Sequence, residues 1–434
     1  MIPAIGAWTA LVGVLAAQDG SKLTVELAAQ LAEQRAYNVL IQQSAITRQR
    51  ERLSEAKAGF NVRAVVQATY QRNDEQVKAS LGQGAPPVIL QPFDTGTVVA
   101  SVSLPLDISG ALRKQVDAQR NSLSAETFNL LSTLNDVRFS TKAAYLSVLR
   151  AKAQFAVADQ ALALSKARRD QAKAQFEQAA VAKIDVTRFE AQVAQAEAER
   201  LAAQNNYQNA INQFNEVLAR PIETESEFSD VTTLPELPSD RDQLVLQARK
   251  ERPDSRSLFE SIRGLNNVVR AQETGDDPSL NLSINHTRNL VTTPFNPREF
   301  QTVGQLVLSI PIFDQGLTRQ RVKQARQDEL QAQLRLQQLH LNISQEIRSA
   351  LNSMATAKAR LESAEQQIRL AEEVFRIAGV RRDAGEGTYV EVIDAINALT
   401  QARNNGISAR YDYLTGYYQL QRAMGRDNFQ EPAS

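Results

Sequence analysis

The sequence predicts a mostly α-helical protein with a smaller transmembrane β part, in which one unit of strands and long coiled-coil helical hairpins occurs twice. Three observations support this fold class: an internal repeat, a heptad pattern within each copy, and short alternating segments ahead of each heptad region. Aromatic residues make up only 6% of the 434 residues, which is typical of long helices and not of several thick cores.

The internal repeat is found when the chain is aligned with itself at a constant shift of 206 residues. Residues 101–220 then match residues 307–426 without a gap, so that Gly110 matches Gly316. About one position in five is identical, and the shared Pro and Gly positions argue against a chance match. The repeat therefore predicts a duplicated structural unit.

Each repeat carries an apolar pattern with a period of seven, which predicts helices that pack side by side along narrow seams. No proline interrupts residues 112–178 or 317–382, so each segment can form one helix of about 65 residues. A break follows each long helix, and a shorter heptad helix then returns. Each long helix and the helix that follows it are predicted to form an antiparallel hairpin, over residues 112–219 and 317–424.

Four segments alternate between apolar and polar residues over about ten positions, as a half-buried strand does. Each one fits a transmembrane barrel strand, although a soluble sheet fits any single segment equally well. Four strands cannot close a pore-sized barrel, so a membrane location would require several chains. The segments lie at residues 62–70, 97–106, 280–288 and 302–312.

These boundaries give an expected domain organisation. Residues 1–17 are apolar or small and uncharged, which predicts either a signal peptide or an apolar N-terminal arm. The first repeat is expected over residues 18–220, followed by a proline-rich, acidic linker over 221–240. The second repeat is expected over residues 241–426, and residues 427–434 form a short tail.

The composition excludes several kinds of chemistry. The 49 Lys+Arg residues equal the 49 Asp+Glu residues, so the chain as a whole has no basic field for nucleic acid. The absence of cysteine removes thiol catalysis and Cys-ligated metals. His286 and His340 are the only imidazoles, and we interpret both as solvated or lumen-facing. We therefore expect no enzyme, no metal site and no cofactor.

Two strand-to-helix junctions carry a family resemblance. They read LPLDISG at 104–110 and IPIFDQG at 310–316, while Arg252-Pro253-Asp254 begins the second unit. The order, spacing and duplication of these motifs resemble those of the TolC-type outer-membrane efflux proteins. The resemblance extends over the chain from about Leu23 to Arg426.

The resemblance implies a homotrimer, in which each chain contributes four strands to a 12-stranded β-barrel that continues into an α-helical periplasmic tunnel. It implies a location in the outer membrane of a Gram-negative-type cell, with outer-membrane lipid around the barrel. The implied function is a passive exit duct of a tripartite efflux or type I secretion system, for small molecules or proteins. The implied partners are a periplasmic adaptor (membrane fusion) protein and an inner-membrane transporter. The residues leave open one alternative, a soluble coiled-coil structural or adaptor protein of the cell envelope.

The candidate functional residues lie at the two hairpin tips, where such a duct would be narrowest. One set is predicted to dock the adaptor, and it comprises Ala179, Ala180, Val181, Gly385 and Glu386. The other set is predicted to line the periplasmic gate, and it comprises Asp185, Arg382, Gly387, Glu391 and Asp394.

Fixed charges at a constriction decide which solutes pass, so three acids per chain could form carboxylate rings. Asp185 and Glu391 could equally cap the helices that follow the breaks, whereas Asp394 lies deeper in its helix and favours the ring. The resemblance also implies a latch formed by a Tyr and an Arg, at positions that Arg382 and Gly387 occupy here. We hypothesise that Arg382 pairs with Asp185. The alternative is a solvated charged turn over residues 381–383.

Overall fold

The structure is a computed structural model, and it describes residues 22–79, 82, 87–238, 240–292 and 297–425. The predicted signal peptide or arm at 1–17 and the predicted tail at 427–434 lie outside the described residues. Both stay predictions, as does the division into two repeats joined by a linker.

The described residues form eight α-helices and six β-strands. In chain order these are α1 (Val25–Arg35), α2 (Tyr37–Ala58), β1 (Arg63–Arg72), β2 (Val77–Ala79), β3 (Val88–Gln91), β4 (Asp94–Leu106), α3 (Ala111–Glu177), α4 (Lys183–Val217), α5 (Arg241–Glu251), α6 (Pro253–Glu273), β5 (Ser279–Asn289), β6 (Phe300–Ser309), α7 (Leu317–Asp383) and α8 (Tyr389–Met424). None of the helices in these described parts is long and apolar enough to cross a membrane.

The two longest helices repeat each other along the chain. Helices α3 and α7 each span 67 residues, and α7 begins and ends 206 positions after α3. The returning helices α4 and α8 also begin 206 positions apart, at Lys183 and Tyr389. The shift found in the sequence is therefore also the shift between the corresponding helices.

The ends of these helices use left-handed backbone at matching positions. Three pairs of residues with positive φ are separated by the same shift, namely Gly110 and Gly316, Ala179 and Gly385, and Ala219 and Gly425. A side chain in this conformation costs roughly 1–2 kcal/mol, a cost that glycine avoids. The first repeat is therefore strained at two positions where the second repeat has glycine.

The described chain divides into two compact units. The main sheet lies in the unit that comprises residues 44–128 and 256–338. Its strand order is β1-β4-β5-β6, with every neighbouring pair antiparallel. β6 ends at Ser309 and not near residue 312, because Pro311 has no N–H to donate to a ladder. Strands β2 and β3 form a small hairpin between β1 and β4, which the sequence did not predict.

The two faces of the main sheet differ in polarity. The register places Val102 opposite Ile284, and Leu282 opposite Leu306, on one face. That face exposes Val66, Tyr70, Val102, Leu106, Leu282, Ile284, Leu306 and Leu308. The opposite face is mostly polar, and it includes Ser101, Ser103, Asn281, Ser283, Asn285 and Gln305.

The other unit comprises residues 22–43, 129–255 and 339–425 of the described chain. Its core contains Tyr145, Phe214 and Phe228, whose rings pack edge to face. The Tyr145 hydroxyl lies 2.6 Å from the carbonyl oxygens of Leu23 and Ser229. Burial raises the pKa of Tyr145 to about 12, so this hydroxyl keeps its proton near neutral pH. The core thereby holds part of the predicted linker in place.

Candidate gate at the hairpin tips

The tips of the two hairpins share a small apolar core within one unit. The first turns of α4 and α8 and the last turns of α3 and α7 supply its side chains. The buried members are Ala172, Val186, Phe189, Ala378, Val392, Ala395 and Ile396. Apolar positions that recur along the heptads bring these turns together, so the two tips are packed against each other.

Three side chains form a polar contact across the tips, and we call Gln175, Arg382 and Tyr389 the tip cluster. The Tyr389 hydroxyl donates a hydrogen bond of 2.6 Å to the Gln175 side-chain oxygen. The Arg382 guanidinium donates to the same oxygen. It also lies 4.0 Å from the centroid of the Tyr389 ring, which is a cation–π contact. Phe189 packs edge-on against the same ring at 5.4 Å.

The burial of Arg382 makes the tip cluster energetically important. Only 8% of this residue is exposed, so its charge depends on the partners that the protein supplies. They are the Gln175 oxygen, the Tyr389 ring and the Asp383 carboxylate, which lies 2.9 Å away. Removal of the partners of a buried charge is strongly destabilising. The cluster therefore fixes the end of α7 against α3 and α8.

The hypothesised pair between Asp185 and Arg382 is wrong within the chain. Asp185 lies 3.5 Å from Arg188 on the same helix, a spacing of three residues that places both on one face. Arg382 faces Gln175 instead, because it lies in the last turn of α7 beside α3. The alternative of a solvated turn is also wrong for Arg382, since that side chain is buried.

Glu391 has a structural role. Thr388 and Glu391 form a capping box at the start of α8, in which Glu391 N donates to the Thr388 hydroxyl oxygen over 3.2 Å. The Thr388 N–H in turn donates to the Glu391 carboxylate over 3.4 Å. The capping interpretation accounts for this acid. Asp394 lies one turn further along α8 and is exposed, and its place in a carboxylate ring stays a prediction.

Gly387 allows close packing at the second tip. A Cβ atom at this position would lie 3.0 Å from the backbone nitrogen of Arg382 and 3.2 Å from the Cβ of Arg381. A side chain here would therefore push against the turn that holds Arg382. The residues predicted to dock an adaptor lie in the two turns themselves, and of these Ala179, Ala180, Gly385 and Glu386 are exposed while Val181 is half-buried.

Sequence reasoning missed Gln175 and Tyr389. A glutamine in a helix rich in glutamine carries no distinctive signal, and Tyr389 is only the first residue of a returning helix. The one available clue was the seven-residue spacing between Arg382 and Tyr389 across the break.

Known proteins support the assignment of this fold. Residues 244–426 match the outer membrane efflux protein family. This part of the chain is similar to that family. The predicted resemblance to the TolC-type family is thereby confirmed.

The curated relatives of the chain are distant in sequence. The chain is 24% identical to outer membrane protein TolC of Escherichia coli over 274 residues, which cover 60% of this chain and 56% of TolC. It is 22% identical to outer membrane efflux protein BepC of Brucella suis, over 76% of this chain and 72% of BepC. The chain thus spans little more than half the length of the TolC relatives that it matches.

The fold of the chain is also found in solved structures. The Campylobacter jejuni CmeC outer membrane channel superposes with a TM-score of 0.79 at 18% identity, covering 92% of this chain and 85% of that chain. The mostly helical fold with a small antiparallel sheet is therefore that of the outer membrane channels.

Proposed function

We propose that this protein is a passive exit duct in the outer membrane of a Gram-negative-type cell, with its long helices in the periplasm. It would serve a tripartite efflux or type I secretion system and carry small molecules or proteins that an inner-membrane transporter delivers. The observation that carries the proposal is the main sheet, which has one apolar face, one polar face and two open edges.

The faces of the sheet suit a membrane barrel. The apolar face runs along strands of about ten residues, the length that spans an outer membrane when the strands are tilted. The polar face would line an aqueous lumen. In the alternative of a soluble protein, this exposed apolar face would stay in contact with water, which disfavours that alternative.

The edges of the sheet support assembly from several copies. Among the described residues, β1 and β6 are the outer strands, and each pairs on one side only. An unpaired edge in hydrocarbon would leave many backbone groups without partners, at several kcal/mol each. Each strand in the order β1-β4-β5-β6 runs antiparallel to its neighbour, so β6 runs antiparallel to β1. The free edge of β6 in one copy can therefore pair antiparallel with β1 of the next copy. Three copies would give the 12-stranded barrel that the family resemblance implies.

The hairpin tips would be the periplasmic gate. In this proposal the tip cluster holds the two hairpins of each chain together, and Asp394 contributes a carboxylate ring to the lumen. A periplasmic adaptor would dock on the exposed turns at residues 179–181 and 385–386. Docking of the adaptor would then open the duct by separating the contacts that hold the hairpin tips together.

Two measurements on the detergent-purified protein test the proposal. Light scattering with refractometry should give the mass of a trimer after the detergent is subtracted. The same preparation should insert into a planar lipid bilayer and give discrete conductance steps. A protein that stays soluble as a monomer without detergent, and gives no conductance, would support the coiled-coil alternative instead.

A further inference from the structure

The polar face of the main sheet carries one charged side chain among the residues that the structure describes. It is Arg63, at the start of β1, which the register places opposite Ser103. The other positions of this face are all uncharged, and they are every second residue over 65–71, 95–105, 279–289 and 301–309. A single basic residue therefore sets the sign of the charge on this face.

The other charged side chains of the four strands lie on the apolar face, at the opposite end of the sheet. They are Arg72, Asp94 and Arg288. Arg72 lies 3.9 Å from Asp94, and Arg288 lies 3.0 Å from Glu299, which directly precedes β6. Each of these cations is paired with a neighbouring acid, so the fields of the two charges largely cancel.

Arg63 has no such partner. Its side chain is exposed, and it makes no hydrogen bond or ion pair with the parts of the chain that the structure describes. The register continues from Ser103 to Ser283 and from Ser283 to Gln305. The row of side chains across the sheet at this level thus contains one cation and three neutral groups, so the charge of Arg63 is not compensated within the sheet.

The acids beyond this end of the sheet are too distant to neutralise Arg63. Each of them lies at least four residues along its strand from the row of Arg63, which is about 13 Å at 3.3 Å per residue. They are Asp107, Asp276, Asp277 and Asp314. Exposed charges are largely screened beyond a Debye length, which is about 8 Å at physiological ionic strength. The segment that leads into β1, residues 56–62, contains no acid.

Two of these acids also have structural roles at the starts of the long helices. Asp107 accepts hydrogen bonds of 3.0 and 3.1 Å from the backbone N–H groups of Leu112 and Arg113. Asp314 accepts the corresponding bonds from Gly316 and Thr318. Their carboxylates are therefore held at the helix ends and do not turn towards the polar face.

We propose that Arg63 makes the sheet part of the duct favour anionic solutes, with small carboxylates as the class that it selects. This inference rests on the proposed function, in which the polar face lines the lumen. Three copies would place three such arginines around one lumen, with no acid at the same level. Rings of basic side chains favour anions in pores, and a guanidinium binds a carboxylate through paired hydrogen bonds.

Salt should control how strongly Arg63 acts on passing solutes. The Debye length is about 30 Å at 0.01 M ionic strength and about 10 Å at 0.1 M. The field of a side chain on the wall therefore reaches the middle of a wide lumen only in dilute solution. The preference for anions should be strongest at low salt and weaken as the salt concentration rises.

Reversal potentials in a planar bilayer can measure this preference. The detergent-purified full chain would be placed in a gradient from about 0.01 M to about 0.1 M potassium acetate. Arg63→Gln should lower the permeability ratio of acetate to potassium about twofold, and Arg63→Glu should lower it further. Arg72→Gln is the matched control, because it makes the same change of charge on the same strand but on the other face. Its permeability ratio should equal that of the parent.

Chemical modification tests the same position within one folded variant, because the natural chain has no cysteine. Arg63→Cys treated with a cationic methanethiosulfonate should regain the parental permeability ratio. Treatment with an anionic methanethiosulfonate should lower the ratio below that of the unmodified variant. Val66→Cys, at an exposed position of the apolar face, should respond to neither reagent.

The outcomes separate this inference from the proposed function. A permeability ratio that follows the charge at position 63, and not the charge at position 72, would support the inference. Discrete conductance steps with equal ratios for the parent, Arg63→Gln and both modified forms would overturn it and leave the duct proposal intact. Equal shifts from Arg63→Gln and Arg72→Gln would overturn it in the same way. A parent protein that gives no conductance would overturn the duct proposal, and this inference with it.

Discussion

The Tyr389 hydroxyl donates a hydrogen bond to Gln175, and this contact joins the start of α8 to the end of α3 across the two hairpin tips. The ring of Tyr389 at the same time supports the buried guanidinium of Arg382. One side chain therefore takes part in two of the interactions that hold the tips together.

In the proposed duct, substitution of Tyr389 by phenylalanine should loosen the contact between the two hairpin tips. The change removes one hydrogen bond, worth about 0.5–1.5 kcal/mol, and keeps the ring under Arg382. A loss of about 1 kcal/mol changes the balance between closed and open forms about fivefold. Conductance in a planar bilayer should rise. Tyr207→Phe is the control, since that ring stacks on Phe155 away from the tips, and equal conductance changes in both variants would contradict a gating role for Tyr389.

Arg382→Ala should raise conductance more than Asp185→Ala does. Arg382 interacts with Gln175 and Tyr389 across the tips, whereas Asp185 interacts with Arg188 of its own helix. The Asp185–Arg188 pair lies within one helix and its arginine is exposed, so the pair is worth about 0–1 kcal/mol and its loss should matter little for the contact between the tips. The double mutant should conduct like Arg382→Ala. A latch between the two residues would instead require both single variants to open the channel equally.

Glycine at the two strained alanines should stabilise the protein. Ala179 and Ala219 have φ values of 59° and 51°. Glycine removes roughly 1–2 kcal/mol of strain at each site. Part of this gain is offset because glycine also raises the conformational entropy of the unfolded chain. We expect a net gain of about 0.5 kcal/mol for each of Ala179→Gly and Ala219→Gly in denaturant unfolding. Ala180→Gly, beside the first site but without positive φ, should destabilise slightly, and a gain there would refute the strain argument.

Asp314 should make stability depend on pH in the acid range. Backbone hydrogen bonds from Thr318 and Gly316 lower the pKa of this carboxyl from 3.8 to about 2. Because the folded pKa is below the unfolded value, the stabilisation is present above about pH 4 and is lost as the pH falls towards 2. Asp314→Asn should therefore be less stable than the parent at pH 7, and the difference should shrink between about pH 4 and pH 2. Thermal unfolding across this range measures it, and a constant difference would exclude the linkage.

Much of the fold could be predicted from the sequence, because its signals are periodic. A period of seven identified the helices α3 and α7 to within a few residues, and the alternation at Val102 and Leu104 identified β4 and its apolar face. The hairpin of β2 and β3 was missed because strands of three and four residues are too short to show a period.

The candidate gate was predictable only in part. The breaks after α3 and α7 located the tips, and the capping role of Glu391 was one of two interpretations that its position allowed. The partner of Arg382 was not predictable, because it depends on the rotation of α7 about its axis against α3. That rotation is set by packing between the helices, and the sequence does not encode it locally.

The Gln175 side-chain oxygen accepts hydrogen bonds from both Arg382 and Tyr389, and the chemistry of this shared acceptor has a further consequence. It carries no net charge, so dissolved ions do not screen its cross-tip bonds as they screen an ion pair between exposed groups. The strength of the contacts between the hairpins should therefore change little with the salt concentration of the surrounding fluid. In the proposed duct, a partner would have to move α7 away from α3, and the salt content of the surrounding fluid would have little influence on when the duct opens.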